Sequence, residues 1–171
     1  MFTRIFVVVA SLGLALCAPA PLPAADIYLV RHAEKTRDGS PDPALTELGR
    51  ERARNLATVL RSAGIERIFS SDYERTRATA APLAKELDLE IEIYDPGALE
   101  PFAKQLLELQ QNTLVVGHSN TTPELAELMD GDGGTPIVEE WEYDRLYLLQ
   151  TENGRVTRTI LLHVPPETPS P

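Results

Sequence analysis

Cysteine occurs once in the 171 residues, at Cys17, tryptophan once and histidine three times. One thiol forms no internal disulfide, so the fold rests on its hydrophobic core. Three scattered histidines and the dispersed carboxylates have no metal-ligand spacing, so neither a metal nor another cofactor is expected. The one substantial apolar stretch, Ile5 to Leu16, is too short to span a bilayer comfortably. Positive charge is also scarce. Sixteen Lys and Arg stand against 26 Asp and Glu, a net charge of −10. So acidic a surface argues against nucleic acid or anionic membrane as partners, and any anion site must be a local cationic pocket.

What is present begins with a leader. Arg4, the apolar stretch and the Ala- and Pro-rich run from Ala18 to Ala25 have the layout of a secretory signal peptide over residues 1–25. Ala18-Pro19-Ala20 fits the A-x-A cleavage pattern, but Pro21 hinders cleavage there and favours a cut near Ala24 or Ala25. The alternative is an uncleaved membrane anchor. Lipidation of Cys17 is disfavoured because Leu16 stands where a lipobox has a small residue. The expected product is a periplasmic or secreted monomer with no stable membrane insertion after cleavage. It has lost its only cysteine and is one unit more negative.

From Asp26 to Val164, strand-like and helix-like segments alternate, as in an α/β domain. Ile27–Val30 is a short apolar run suited to a buried parallel strand. Thr46 is placed to cap a helix whose apolar face comprises Leu48, Arg52, Leu56, Val59 and Leu60, with Gly64 as its stop. Further strands are expected over Ile65–Phe69, Leu89–Tyr94 (an edge) and Thr113–Gly117, with helices over Tyr73–Leu87 and Pro101–Gln110. Ser119 or Thr122 is the expected cap of a helix containing Pro123. Asn153-Gly154 marks a hairpin between Tyr143–Gln150 and Arg155–Val164. Residues 165–171 are Pro-rich and expected to be disordered.

Three strand ends carry chemistry. Ile27–Val30 runs directly into Arg31-His32, and Thr113–Gly117 into His118. Ligands of open α/β sheets sit beyond the carboxyl ends of the strands. A neutral imidazole is a competent nucleophile near neutral pH, and adjacent guanidinium groups keep it neutral while gripping phosphate oxygens. The third strand end, Ser70-Ser71-Asp72, enters a helix with Arg75 and Arg77 in its first turns, where backbone N–H groups favour anions. His163 has no charged neighbour in sequence and reads as structural, while Trp141, among Glu139, Glu140 and Glu142, suits a sheet edge or a site mouth.

Arg31-His32-Ala33-Glu34, Leu45-Thr46-x-x-Gly49, Ser71 to Ala80 with Arg75 and Thr79-Ala80, and Val116-Gly117-His118-Ser119 together resemble the histidine phosphatase superfamily. The resemblance covers Asp26 to Leu162 in the family's order. It implies a three-layer αβα sandwich of the phosphoglycerate mutase-like fold, with a mostly parallel central sheet of about six strands and helices on both faces. It also implies a metal-independent phosphatase of small phosphomonoesters working through a phosphohistidine on His32. Arg31, Arg75 and His118 would clamp the phosphoryl group. Ala33 departs from the family's usual glycine. Glu100 is the best match to the position of the general acid, Asp95 a weaker one, and Glu34 would orient the first loop. Two other readings compete: a phosphate-binding module of the same fold without turnover, and a serine hydrolase using Ser119 with Asp144 and His163, although G-x-S-x-G fails at Thr121.

Overall fold

The computed structural model describes residues 24–166. The leader expected over 1–25 lies almost wholly outside that range. Ala25, expected at its boundary, is already the first residue of strand β1.

The element order is β1 (Ala25–Arg31), α1 (Glu47–Leu60), β2 (Arg67–Ser70), α2 (Glu74–Leu87), β3 (Ile91–Ile93), α3 (Leu99–Leu109), β4 (Thr113–Gly117), α4 (Thr121–Leu128), β5 (Arg145–Glu152) and β6 (Arg155–His163). The six strands form one mixed sheet in the order β3-β2-β4-β1-β5-β6. The pairings β3–β2, β2–β4 and β4–β1 are parallel, and β1–β5 and β5–β6 are antiparallel. The expected α/β sandwich is therefore present, with β3 at an edge.

Alternation along β1 divides the core in two. Ile27 and Leu29 pack with Phe102 and Leu106 of α3 and Leu125 of α4. Tyr28 and Val30 pack on the opposite face with Leu56 and Leu60 of α1 and Leu83 of α2. The adjacent strands β1 and β4 thus hand the chain to opposite faces, α1 on one and α4 on the other. That divergence opens a crevice at their carboxyl ends.

Helix α1 shows how the first loop is fixed. Thr46 caps it as expected, its Oγ1 accepting from the Gly49 N–H at 3.0 Å. Its buried face, however, is Gly49, Arg52, Ala53, Leu56, Ala57 and Leu60, whereas Leu48 and Val59 are exposed. Small residues let the helix press against the loop after β1. A Cβ on Gly49 would come within 2.3 Å of the Glu34 carbonyl oxygen. That same carbonyl accepts from the Thr46 N–H at 2.8 Å. Arg52 is buried because it is fully engaged: it donates to the Glu34 carboxylate (2.6 Å from Nη2) and to the carbonyls of Val164 and Pro166. Asn55 donates to the Pro165 carbonyl, so the first two residues of the expected tail are fastened to α1. Residues 167–171 lie outside the described range.

The remaining boundaries follow local chemistry. Asn153 and Gly154 both have positive φ (55° and 69°), as a two-residue hairpin turn requires. Neither expected cap of α4 is used. The helix starts at Thr121, whose Oγ1 instead accepts from the His118 N–H at 3.0 Å. No helix among the described residues is long and apolar enough to cross a membrane.

Gly49→Ala tests the close approach. Alanine favours a helix interior by about 1 kcal/mol over glycine, but a methyl group driven into the Glu34 backbone costs about 1–3 kcal/mol or more. Denaturant unfolding should therefore show net destabilisation.

Candidate functional site

His32 follows β1 by one residue and extends its pairing with β4, its N–H donating to the Gly117 carbonyl at 2.9 Å. The ring is buried, and Nδ1 lies 2.8 Å from the Ala33 carbonyl oxygen. A carbonyl only accepts, so Nδ1 carries the hydrogen and the lone pair is on Nε2. Ala33 needs no left-handed backbone: the described non-glycine residues with positive φ are Asp88, Gln110, Asp130 and Asn153. Its buried Cβ packs with Leu45 and Ala53. Its N–H donates to Thr79 Oγ1 at 3.0 Å, and that hydroxyl donates to the Arg75 carbonyl at 2.7 Å. Thr79 thus ties the loop after β1 to α2. The Glu34–Arg52 pair braces the same loop from α1.

His118 stands at the end of β4, its ring centroid 5.5 Å from that of His32 at an interplanar angle of 70°. Its Nε2 lies 2.8 Å from Ser71 Oγ, which in turn donates to Thr76 Oγ1 at 3.1 Å. The Ser71 motif therefore sets the second imidazole's orientation. Gly117 is demanded by space: an added Cβ would meet the Tyr94 hydroxyl at 2.8 Å and the Thr121 Oγ1 at 3.0 Å.

The two arginines are held by groups that leave an edge of each unused. Arg31 is 1% exposed. Its Nη1 donates to the carbonyls of Glu142 (2.7 Å) and Val138 (3.3 Å), its Nη2 to that of Glu139 (2.8 Å), and the Tyr143 ring lies 4.0 Å from Cζ. Arg75 Nη1 donates to Asp42 at 3.2 Å, and its Cζ lies 4.3 Å from the Tyr73 ring centroid. Tyr73 also meets His118 edge-on at 5.1 Å, and Tyr143 lies 6.1 Å from His32. The Nε atoms of Arg31 and Arg75 are both buried without an acceptor. Buried donors are normally paired, so two orphaned guanidinium N–H groups beside two imidazoles make a site suited to an oxyanion.

The electrostatics agree. Burial, then the charges of Arg31, His118 and Arg75, pushes His32 down to about 2 despite its bond to Ala33. Burial, then Arg75, Arg31 and Lys35, pushes His118 down to about 4, with Glu139 opposing. Both rings are neutral at neutral pH. Burial lowers Arg31 as well, and an arginine remains protonated.

The structure thus brings Arg31, His32, Arg75 and His118 together. It does not bring Glu100 to them by any described contact. Glu100 is exposed in the first turn of α3, lining a recess with Glu124 and Leu128. Asp95 accepts from the Gly97 N–H and borders a different cleft with Tyr73. Ser119 lines a third recess, apart from His163, which pairs with Asp144 at 3.1 Å. The serine-hydrolase reading therefore has no assembled triad. No group of three or more His, Cys, Asp or Glu among the described residues is placed to hold a metal ion.

Sequence reasoning missed the tyrosines and the turn at Val138–Glu142. Tyr73 had a signal, two residues before Arg75. Trp141 marked the turn as a sheet edge or a site mouth, but the turn's carbonyls and Tyr143 had no signal toward Arg31, because they reach it from the far end of the chain. Lys35 and Arg37 also engage this turn, through the Glu139 carboxylate and the Glu140 carbonyl.

An NMR titration of the free protein checks the electrostatics. Neither the His32 nor the His118 ring should titrate between pH 7 and 5, and a midpoint near the ordinary 6.5 at either would contradict the buried neutral pair. Because both folded-state values lie below the unfolded value, the unfolded state binds more protons, so stability should fall as pH drops below that value.

Residues 27–96 match the model of the histidine phosphatase superfamily (branch 1), a stretch that includes Arg31, His32 and Arg75. The probable phosphoglycerate mutase GpmB of Escherichia coli (strain K12 / DH10B) is 35% identical over 129 residues, covering 68% of this chain. The match covers 56% of that relative, so the chain spans little more than half the length of the curated relatives it matches. Among solved structures, the protein histidine phosphatase SixA complexed with tungstate aligns at TM-score 0.66 and 20% identity over 81% of this chain and 96% of that one. A mycobacterial glucosyl-3-phosphoglycerate phosphatase aligns at TM-score 0.63 and 16% identity over 82% and 98%. These structures share the fold, and on the family model and the 35% identical relative the chain belongs to the histidine phosphatase superfamily.

Proposed function

We propose that the protein is a phosphatase of phosphomonoesters that works through a phosphohistidine on His32 and needs no metal. The observation that carries this reading is the gathering of a neutral His32, its neighbour His118 and two guanidinium groups whose charges act on His32 and whose Nε–H groups are buried and unpartnered. A substrate phosphoryl group bound there receives the Nε–H donors of Arg31 and Arg75 and lies beside His118. Its dianion offsets the guanidinium charges that suppress the basicity of His32.

In the first step Nε2 bonds to phosphorus as the phosphorus–oxygen bond to the leaving group breaks, and a carboxylic acid protonates the departing oxygen. The ring becomes a cation, and the Ala33 carbonyl, already accepting from Nδ1–H, stabilises it as that charge develops. In the second step water attacks phosphorus, the electron pair returns to Nε2, and the carboxylate takes the water's proton. Catalysis here is mainly positioning and charge stabilisation. The proton donor is assigned to the stretch from the end of β3 to the first turn of α3, where Glu100 holds the position implied by the resemblance and Asp95 is the alternative. The expected substrate is a small phosphorylated molecule reaching an exported monomer.

His32→Ala should reduce hydrolysis of p-nitrophenyl phosphate to background, and His118→Gln should lower kcat by about 10²–10³. Wild-type-like turnover in His32→Ala would sink the mechanism. Phosphate binding without turnover in the wild type would support a binding module instead. Glu100→Gln should slow leaving-group release from an alkyl phosphate by about 10²-fold and spare the first-turnover burst of p-nitrophenol from p-nitrophenyl phosphate, whose departure needs no acid. That pattern in Asp95→Asn instead would move the role there. Activity lost in EDTA would contradict the metal-free claim.

A further inference from the structure

Tyr73 is a shared wall. One side of its environment is the phosphate site, through Arg75 and His118. The other is a cleft of about 560 Å³ lined by Asp72, Tyr73, Ile93, Tyr94, Asp95 and Pro96. The character of the chain changes across that wall. On the site side stand Arg31, Arg75 and Lys35, the three cations whose charges lower His118. On the cleft side the lining contains two carboxylates and no Lys, Arg or His among the described residues. Arg77 lies outside the lining and is paired with Asp72. Ile93, on the edge strand β3, is 52% exposed, and the partly exposed Tyr73 ring and Pro96 continue the apolar surface beside it.

We propose that this cleft receives the leaving group of the phosphoester, accepting a ring-bearing group that is neutral or cationic and disfavouring one that carries a second anion. The proposal rests on the phosphatase reading above and names the substrate class of the same site. An aromatic or apolar ring covers Ile93 and stacks against the Tyr73–Pro96 surface, while a positive substituent meets Asp72 and Asp95. A carboxylate or second phosphate on the leaving group meets the same two groups, of which Asp72 is offset by Arg77 while Asp95 has no described cationic partner.

Three aryl phosphates whose phenols have similar acidity provide the test: tyramine phosphate, 4-ethylphenyl phosphate, and the phosphate ester of 3-(4-hydroxyphenyl)propionate. At low salt, kcat/KM should fall in that order, by about tenfold from first to last. The spread should shrink in about 1 M NaCl, where charges are screened within a few ångströms. Ile93 makes no described contact with His32, His118, Arg31 or Arg75, so Ile93→Lys changes the cleft lining alone, and its readout is the ratio of rates between the charged esters. The same variant should raise the propionate ester relative to the tyramine ester. Equal rates for the three esters, a preference for the carboxylate, or no change in Ile93→Lys would overturn the cleft assignment while leaving the phosphatase reading intact. Failure to turn over any of the three would overturn the phosphatase reading and this inference with it.

Discussion

A guanidinium buried to 1% exposure is the constraint on which this architecture depends. Removing Arg31 from water is tolerable only because three main-chain carbonyls of the 138–142 turn and the face of Tyr143 replace its hydration. Those carbonyls carry partial charge but no net charge. They fix the guanidinium without neutralising it, and so leave its field acting on the neighbouring imidazoles. A carboxylate partner at the same place would have cancelled that field. The turn is in this sense part of the site, although it carries no catalytic group.

The same economy runs through the rest of the rim. His32 is aimed by a carbonyl and His118 by a hydroxyl, neither of which is an ion. Ionic contacts do occur around the loop, but they act as braces: Glu34 with Arg52 holds the first loop to α1, and Asp42 holds Arg75 while also accepting from the Glu74 N–H. The outcome is a positive pocket on a protein whose net charge is −10. Long-range repulsion works against anions, so any affinity for one has to come from short-range, desolvated contacts.

What was legible in the sequence was what local chemistry encodes. Thr46, the Asn153-Gly154 turn and the apolar runs of β1 and β4 announce themselves within a few residues. Arg31, His32, Arg75 and His118 were legible because each lies at or just beyond a strand end, and strand ends of parallel sheets share a rim. The apolar face of α1 was misjudged at Leu48 and Val59, because Gly49, Ala53 and Ala57 carry little hydrophobic signal yet permit the closest packing. Ala33 looked like a departure until its ordinary backbone and buried methyl group showed that the position needs small size and not left-handed geometry. Tyr143 was illegible, and Trp141 marked the 138–142 turn only as a sheet edge or a site mouth, since nothing near them in sequence refers to Arg31. The general acid was equally so: a carboxylate earns that role by its distance from a leaving group, and neither Asp95 nor Glu100 has a local motif that encodes it.

The central claim is that His32 Nε2 and the unpartnered Nε–H groups of Arg31 and Arg75 converge on one oxyanion. A crystal structure with orthovanadate, which mimics a phosphoryl group in transfer, addresses it directly. The account predicts vanadium bonded to His32 Nε2, with both guanidinium Nε–H groups donating to its oxygens and the His32 Nδ1–H still on the Ala33 carbonyl. Vanadate bound away from His32, or bound there with both Nε groups still unpartnered, would contradict it.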